Sequence, residues 1–220
     1  MTVSIIIPCY NMREYVGEAI CSALAQTYVD KEIIVVNDGS TDGSLAEISN
    51  YRVGIVSKKN EGLAAARNSG IKAALGELIL PLDADDRLDP QYLEKTVPLM
   101  KPAIGVVSTD MVYFGTHSNR LRPTHTTLSQ VTQYNGMPVC SLIRKRALEE
   151  VGGYKSIMNE GCEDWELWVS ILKKGWQVAI LNEPLFFYRR KPVSMASTMN
   201  RGKMIEVMKS LHPELPWSAR

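Results

Sequence analysis

Asp83-Ala84-Asp85-Asp86 follows directly on the apolar run Leu78-Ile79-Leu80-Pro81-Leu82, and Asp89 comes three residues later. Carboxylates this close repel one another, and each costs free energy if it leaves water without a cation. A hydrophobic strand that ends in such a cluster is how an open α/β sheet offers groups to a ligand at its C-terminal edge. The partner that best satisfies the cluster is a hard divalent cation, Mn²⁺ or Mg²⁺, that also carries phosphate oxygens. Taken alone, the same residues suit an acidic surface turn equally well, with Asp89-Pro90 opening the next helix.

The surrounding pattern favours the first reading. Val3 to Ile7, Glu32 to Val36, Val53 to Val56 and Leu78 to Leu82 are short apolar runs that read as buried strands. Helical segments separate them. One is capped by Asn11 and carries Val16, Ile20 and Leu24; a short one starts near Ser44; and Gly62 to Leu75 is alanine-rich, with Gly70 weakening its second half. A helix from Asp89-Pro90 towards Met100 follows. Strand and helix alternating at this pitch mean βαβ units and a parallel sheet. Three strand ends, Pro8-Cys9-Tyr10-Asn11, Asn37-Asp38-Gly39 and Asp83-Ala84-Asp85, should then converge on one edge.

Beyond residue 103 the pattern changes. Ile104 to Thr109 and Met111 to Phe114 read as strands, and 117–133 reads as a polar loop. Helices are expected over Arg144 to Val151 and Glu163 to Lys174, and strands over Trp176 to Leu181 and Leu185 to Arg189. Met195, Met199, Met204 and Met208 line one apolar helix face, expected to cover the core, with peripheral membrane contact or dimerisation as the lesser reading. Arg144-Lys145-Arg146 reads as solvent-facing charge. The expectation is a single 220-residue domain: a ligand-binding half over about 1–103, a second half over about 104–195, and a C-terminal helix and tail over about 196–220.

Bulk properties narrow the function. A net charge of +1 argues against a nucleic-acid binder. Cys9, Cys21, Cys140 and Cys162 show no C-x-x-C spacing and read as reduced thiols, and His117, His125 and His212 show no metal spacing. No run approaches the roughly 20 apolar residues of a membrane span, and the N-terminus lacks a leader pattern. A cytoplasmic protein, possible at the inner face of a membrane, is expected.

Five segments carry a resemblance. Ser4-Ile5-Ile6-Ile7-Pro8-Cys9-Tyr10-Asn11, Val36-Asn37-Asp38-Gly39-Ser40-Thr41-Asp42, Asn60-Glu61-Gly62-Leu63-Ala64-Ala65-Ala66-Arg67-Asn68, Leu82-Asp83-Ala84-Asp85-Asp86 and Glu163-Asp164-Trp165 stand in the order and spacing of the family 2 glycosyltransferases. The chain resembles these inverting enzymes over residues 3 to about 195. The resemblance implies a GT-A fold: an α/β, Rossmann-like, mostly parallel sheet flanked by helices, with a smaller mixed acceptor-side half. It implies a nucleotide-sugar donor, UDP-sugar by the family's default, and a saccharide or lipid-linked acceptor in surface-glycan biosynthesis. It assigns Asp85 to the Mn²⁺ or Mg²⁺ and Asp83 to the ribose, with metal contact through water. Pro8, Tyr10, Asn11, Glu14, Asp38, Gly62, Arg67 and Ala84 become donor-site candidates. For Asp38 an Asx-turn or cap is the bland alternative, and for Tyr10 it is packing under the sheet edge.

Inversion needs one base to take the acceptor hydroxyl's proton as it attacks opposite the departing diphosphate. The resemblance places it in Glu163-Asp164, here Asp164, whose residue type would also suit a helix N-cap or first-turn acid. Trp165, Trp168 and Leu172 behind it read chiefly as core. One departure stands out: Tyr188-Arg189-Arg190-Lys191 carries lysine where the family often has a histidine near the metal or diphosphate. A protonated lysine cannot ligate metal but is a phosphate point charge, so Lys191, with Arg189, joins the donor-site candidates. No Q-x-x-R-W motif of processive synthases is present, which favours single-sugar addition. Two alternatives remain open: a sugar-phosphate nucleotidyltransferase, for which the Gly-rich N-terminal loop is missing, and a nucleotide-sugar-binding module without turnover.

Overall fold

A computed structural model describes residues 1–116, 118–158, 160–192 and 199–217; the expectations for His117 and Met195 fall outside them. The first part alternates β1 (Val3–Cys9), α1 (Val16–Leu24), β2 (Lys31–Asp38), α2 (Ser44–Ile48), β3 (Gly54–Lys58), α3 (Leu63–Ala73) and β4 (Leu78–Pro81). The second part contains β5 (Arg87–Leu88), α4 (Tyr92–Thr96), β6 (Ile104–Gly115), β7 (Arg120–Leu121), α5 (Leu128–Val131), β8 (Leu142–Arg144), α6 (Lys145–Val151), α7 (Glu163–Lys173), β9 (Gln177–Arg190) and α8 (Arg201–Leu211).

Among the described residues these strands form one sheet in the order β3-β2-β1-β4-β8-β6-β9-β5, with β7 paired to β6. The β1–β2, β1–β4 and β2–β3 ladders are parallel, as the βαβ pattern requires. The sheet becomes mixed where β8 runs antiparallel to both β4 and β6. Every residue of β1 is buried because both faces of the sheet are covered. Its side chains alternate between two cores: Val3, Ile5 and Ile7 join α1 and α4, while Ile6 joins α3, α6, α7 and α8. Gly70 permits that second contact, since a Cβ there would lie 2.3 Å from Ile6 Cγ2. The glycine that lowers the helix propensity of α3 is thus what brings the helix down onto the sheet.

Several boundaries differ from the sequence expectation. β6 is one strand rather than two, because the charge that interrupts its apolar run, Asp110, is fully buried and paired 2.6 Å from Arg120 of β7. The same position carries a register shift against β9, where Asp110 faces Pro184. The bulge accommodates a proline that cannot donate to a ladder, so β9 also runs unbroken. α4 is short and passes into a 3₁₀ turn over Val97–Leu99 containing Pro98. Asn11 caps no helix: it sits at φ 52° and its Oδ1 accepts from Thr41 N at 2.8 Å.

The polar stretch from residue 118 to 133 holds β7 and the short α5, the latter secured by a Thr127/Gln130 capping box. Arg144 and Lys145, expected in solvent, close open chain ends. Arg144 donates to the carbonyls of Met100, Lys101 and Ile104, and Lys145 Nζ donates to Ala74 O at 2.6 Å. Met204 and Met208 are buried, so the described part of the C-terminal apolar face covers the core. His212 from the end of α8 bonds Glu166 of α7 at 2.9 Å. Among the described residues no helix is long and apolar enough to cross a membrane.

Candidate functional site

The C-terminal ends of β1, β2 and β4 open onto one cleft of about 580 Å³, and the start of α7 forms its opposite wall. Pro8, Tyr10, Asp38, Gly62, Asp83, Ala84 and Asp85 line the first wall, Glu163 and Asp164 the second.

On the first wall each carboxylate meets a donor. Asp38, at the end of β2, lies 2.9 Å from Lys58 Nζ and accepts from the backbone N–H groups of Glu61 and Gly62. Gly62 is at φ 89°, a conformation that suits glycine and turns its N–H onto Asp38 ahead of α3. Asp83 is 2.6 Å from Arg67 Nη2. Asp85 is 2.5 Å from Lys191 Nζ at the far end of β9. Asp86 turns away from the cleft; it is buried and accepts from Arg189 N at 2.8 Å, while its Oδ2 has no hydrogen-bond partner among the described residues. Burial, then the charges of Asp83 and Asp85, push its carboxyl well above the ordinary range.

Arg67 joins the two walls. Its guanidinium is 1% exposed, bonds Asp83 through one nitrogen and Glu163 through another, and lies 5.2 Å from the Tyr154 ring centroid. A planar, permanently charged fork is the side chain suited to bridging two carboxylates. Burial disfavours its charge, but Asp83 and Glu163 outweigh that and raise its pKa well above the ordinary value.

Asp164 is different. Among the described residues its oxygens accept only from neutral groups, Asn135 Nδ2 at 3.2 Å and Trp165 N at 2.7 Å. Burial and the adjacent Glu163 push its pKa up to about 7, against the opposing pull of Arg67 and the two hydrogen bonds. The preceding residue but one, Cys162, sits at φ 60°, an uncommon conformation for a side-chain-bearing residue that turns the chain into α7.

The model of "Glycosyl transferase family 2" matches residues 4–152 of this architecture. The chain belongs to that family. EpsE of Bacillus subtilis (strain 168) is 31% identical over 203 residues, covering 85% of this chain and 72% of that protein. Against two longer curated relatives, 46% identical over 97 residues, the alignment spans 10% of their length. Among solved structures, S. aureus TarS 1-349 in complex with UDP-GlcNAc superposes with a TM-score of 0.80 at 19% identity, covering 98% of this chain and 68% of that one. The mannosyltransferase PcManGT from Pyrobaculum calidifontis, in complex with GDP-Man and Mn²⁺, gives 0.72 at 21%, covering 89% and 59%. These likenesses establish the GT-A fold.

Within this family 2 architecture most of the expected site residues share the cleft: Pro8, Tyr10, Asp38, Gly62, Arg67, Asp83, Ala84, Asp85, Asp164 and Lys191. Asn11 and Glu14 are exposed and outside its lining, Asn11 being committed to the Ser40-Thr41 turn. Tyr10 is 46% exposed at the rim. Trp165 is buried and donates to Val131 O at 2.6 Å, which makes it a packing residue. Sequence reasoning missed Lys58, Asn135 and Tyr188. Lys58 and Asn135 act through partners far along the chain, and Asn135 lies in a stretch without periodic signal.

The divalent cation implied by the family can be tested against these side chains. Among the described residues no three His, Cys, Asp or Glu side chains are grouped to hold a metal. Asp85 nevertheless offers hard oxygen donors at the cleft, and the ammonium on its Oδ2 is a stand-in cation. One carboxylate plus phosphate oxygens and water is how Mg²⁺ is ordinarily held in phosphate-transfer sites, so the residues fit a cation that arrives with a diphosphate.

Proposed function

We propose that the chain is an inverting glycosyltransferase that moves one sugar from a nucleotide-sugar donor to a hydroxyl of a saccharide or lipid-linked acceptor. The observation that carries this reading is the contrast across one cleft: carboxylates held by cations on the sheet edge, and opposite them Asp164, hydrogen-bonded among the described residues to neutral groups only. The donor's nucleoside would lie along Pro8, Tyr10 and Asp38, and its diphosphate towards Asp85 and Lys191. Asp85 would hold Mn²⁺ or Mg²⁺, with Asp83 reaching it through water. A divalent cation there would neutralise the charge that develops on the departing diphosphate.

Asp164 then acts on the acceptor. Its carboxylate takes the hydroxyl proton while that oxygen attacks the sugar carbon from the face opposite the diphosphate. A pKa near the working pH lets one carboxylate both hold and release that proton. Arg67 fixes the distance between the walls, so that donor and base face each other in register. A UDP-sugar is the favoured donor, supported by the TarS complex with UDP-GlcNAc, with a GDP-sugar as in PcManGT the alternative. The setting would be surface-glycan biosynthesis at the cytoplasmic side of a membrane.

Calorimetric titration with UDP, GDP and dTDP, each with Mn²⁺ and with EDTA, tests the donor side. Saturable binding of one nucleotide is expected, strengthened by metal. Failure of all three to bind under both conditions would remove the donor assignment.

A further inference from the structure

Lys191 stands where the cation belongs. Its Nζ lies 2.5 Å from Asp85 Oδ2, with the two side chains only 18% and 19% exposed. Its other close neighbours among the described residues offer no carboxylate: the Tyr15 ring centroid is 5.0 Å away and Met12 Sδ 3.8 Å. The remaining carboxylates of the acidic turn are committed elsewhere, Asp83 to Arg67 and Asp86 to the backbone of Arg189. Within the acidic turn Asp85 is therefore the carboxylate at which a mobile cation can exchange, and Lys191 already holds it. With no group of three ligands among the described residues, a metal ion reaching the free protein would find one carboxylate and a resident ammonium beside it.

We infer that Lys191 gates the metal: it is the counter-ion of Asp85 in the free protein and yields that carboxylate only when a nucleoside diphosphate enters. The inference rests on the donor-site reading above. An incoming diphosphate does two things at once. Its oxygens accept the lysine ammonium, which a flexible four-carbon stem can swing through a few ångströms. They also supply ligands that Asp85 alone cannot. Metal and nucleotide then bind with positive coupling, and by linkage each raises the other's affinity by the same factor. The lysine's charge stays in the site throughout, so nucleotide binding without metal is weakened rather than lost.

The test uses the full chain as wild type, Lys191→Met and Lys191→Arg, titrated with MnCl₂ alone, UDP alone in EDTA, and both together. Free Mn²⁺ is read by electron paramagnetic resonance and nucleotide by calorimetry. The wild type is expected to bind Mn²⁺ weakly without nucleotide. Lys191→Met should bind Mn²⁺ alone about tenfold more tightly, bind UDP in EDTA about tenfold more weakly, and show a smaller coupling factor. Lys191→Arg, which keeps the charge, should stay near wild type in both single titrations. Equal affinity of wild type and Lys191→Met for Mn²⁺ alone overturns the gate while leaving the donor site standing. Absence of UDP binding by all three proteins, with and without Mn²⁺, overturns the donor-site reading and the gate with it. Should Lys191→Met fold poorly, Lys191→Arg still tests the gate: Mn²⁺ binding tightened by loss of the lysine shape alone would refute competition by charge.

Discussion

Three carboxylates on the sheet edge of the cleft and Asp164 on the helix edge are held in opposite ways. On the sheet edge Asp38, Asp83 and Asp85 each face a cationic side chain, Lys58, Arg67 and Lys191. On the helix edge Asp164 faces an amide and a backbone N–H. A carboxylate held by a cation keeps its place, which suits binding. One held by neutral dipoles in a desolvated setting can exchange a proton near neutral pH, which suits chemistry. The difference is built by sheet order: β3, α3 and the end of β9 bring Lys58, Arg67 and Lys191 to the first wall, while on the second Arg67 is taken up by Glu163 and makes no hydrogen bond to Asp164.

The sharpest way to break the contrast is Asp164→Asn. It keeps the shape, and its single carbonyl oxygen keeps one of the two accepted hydrogen bonds, but it cannot accept a proton, so transfer should fall about 10³-fold, with UDP affinity within about twofold of wild type. Steady-state turnover and calorimetry on the same preparation check this. Comparable turnover by the variant would remove Asp164 from the chemistry. A second readout follows from linkage. The folded pKa of Asp164, about 7, lies above the ordinary 3.8, so the folded state holds a proton that the unfolded chain releases in that window. This contribution to stability is present at low pH and is lost as pH rises from 3.8 through about 7. Asp164→Asn should flatten that part of the stability–pH curve.

Next in size is Arg67→Met, which removes the bridge between the walls. Asp83 and Glu163 would be left facing each other without their shared cation, and a broken buried pair costs about 3 kcal/mol or more. Chemical denaturation should show the loss directly. Since Asp83 and Glu163 belong to opposite walls, the same variant should lower turnover even at temperatures where it stays folded. Loss of stability with full retention of turnover would show that the bridge matters to the fold and not to the register of donor and base.

How much of this was legible follows from how far each contact reaches. β1, β2, β4, α3 and α7 fall close to their expected positions because apolar runs, alanine-rich spacing and glycine stops are local signals. The convergence of three strand ends followed from the βαβ pattern, and the cleft lies there. The strands around Asp110 and Pro184 read as interrupted because each residue has its answer elsewhere, in Arg120 and in the facing bulge. Arg67 was assigned to the donor; its bond to Glu163 spans 96 positions, and nothing in either segment announces the other. Asn135 was invisible for the same reason, its partner Asp164 lying 29 positions on.

That amide offers a finer test. Asn135→Leu removes a donor that favours the charged form of Asp164, so its pKa should rise further. In the wild type, log kcat/KM should climb with unit slope below about pH 7 and level off above it. In the variant the bend should move to higher pH by up to about one unit, about 1.4 kcal/mol. A profile that drops uniformly without moving its bend would mean that Asn135 positions the acceptor rather than tuning the base.

The smallest effect is expected at the rim of the first wall, where Tyr10 separates binding from stability. The ring is 46% exposed and belongs to neither core, so Tyr10→Ala should leave the denaturation midpoint nearly unchanged. If the ring packs along the donor's base, as proposed, its loss should weaken UDP binding by about 1 kcal/mol, roughly fivefold. Because the contact is remote from the bond being broken, kcat should hold at saturating donor while KM rises. Tyr10→Phe should behave as wild type, since stacking needs the ring and not the hydroxyl. An equal loss in both variants would assign the hydroxyl a hydrogen bond to the ribose or base, and would turn this wall from a stacking platform into a polar reader.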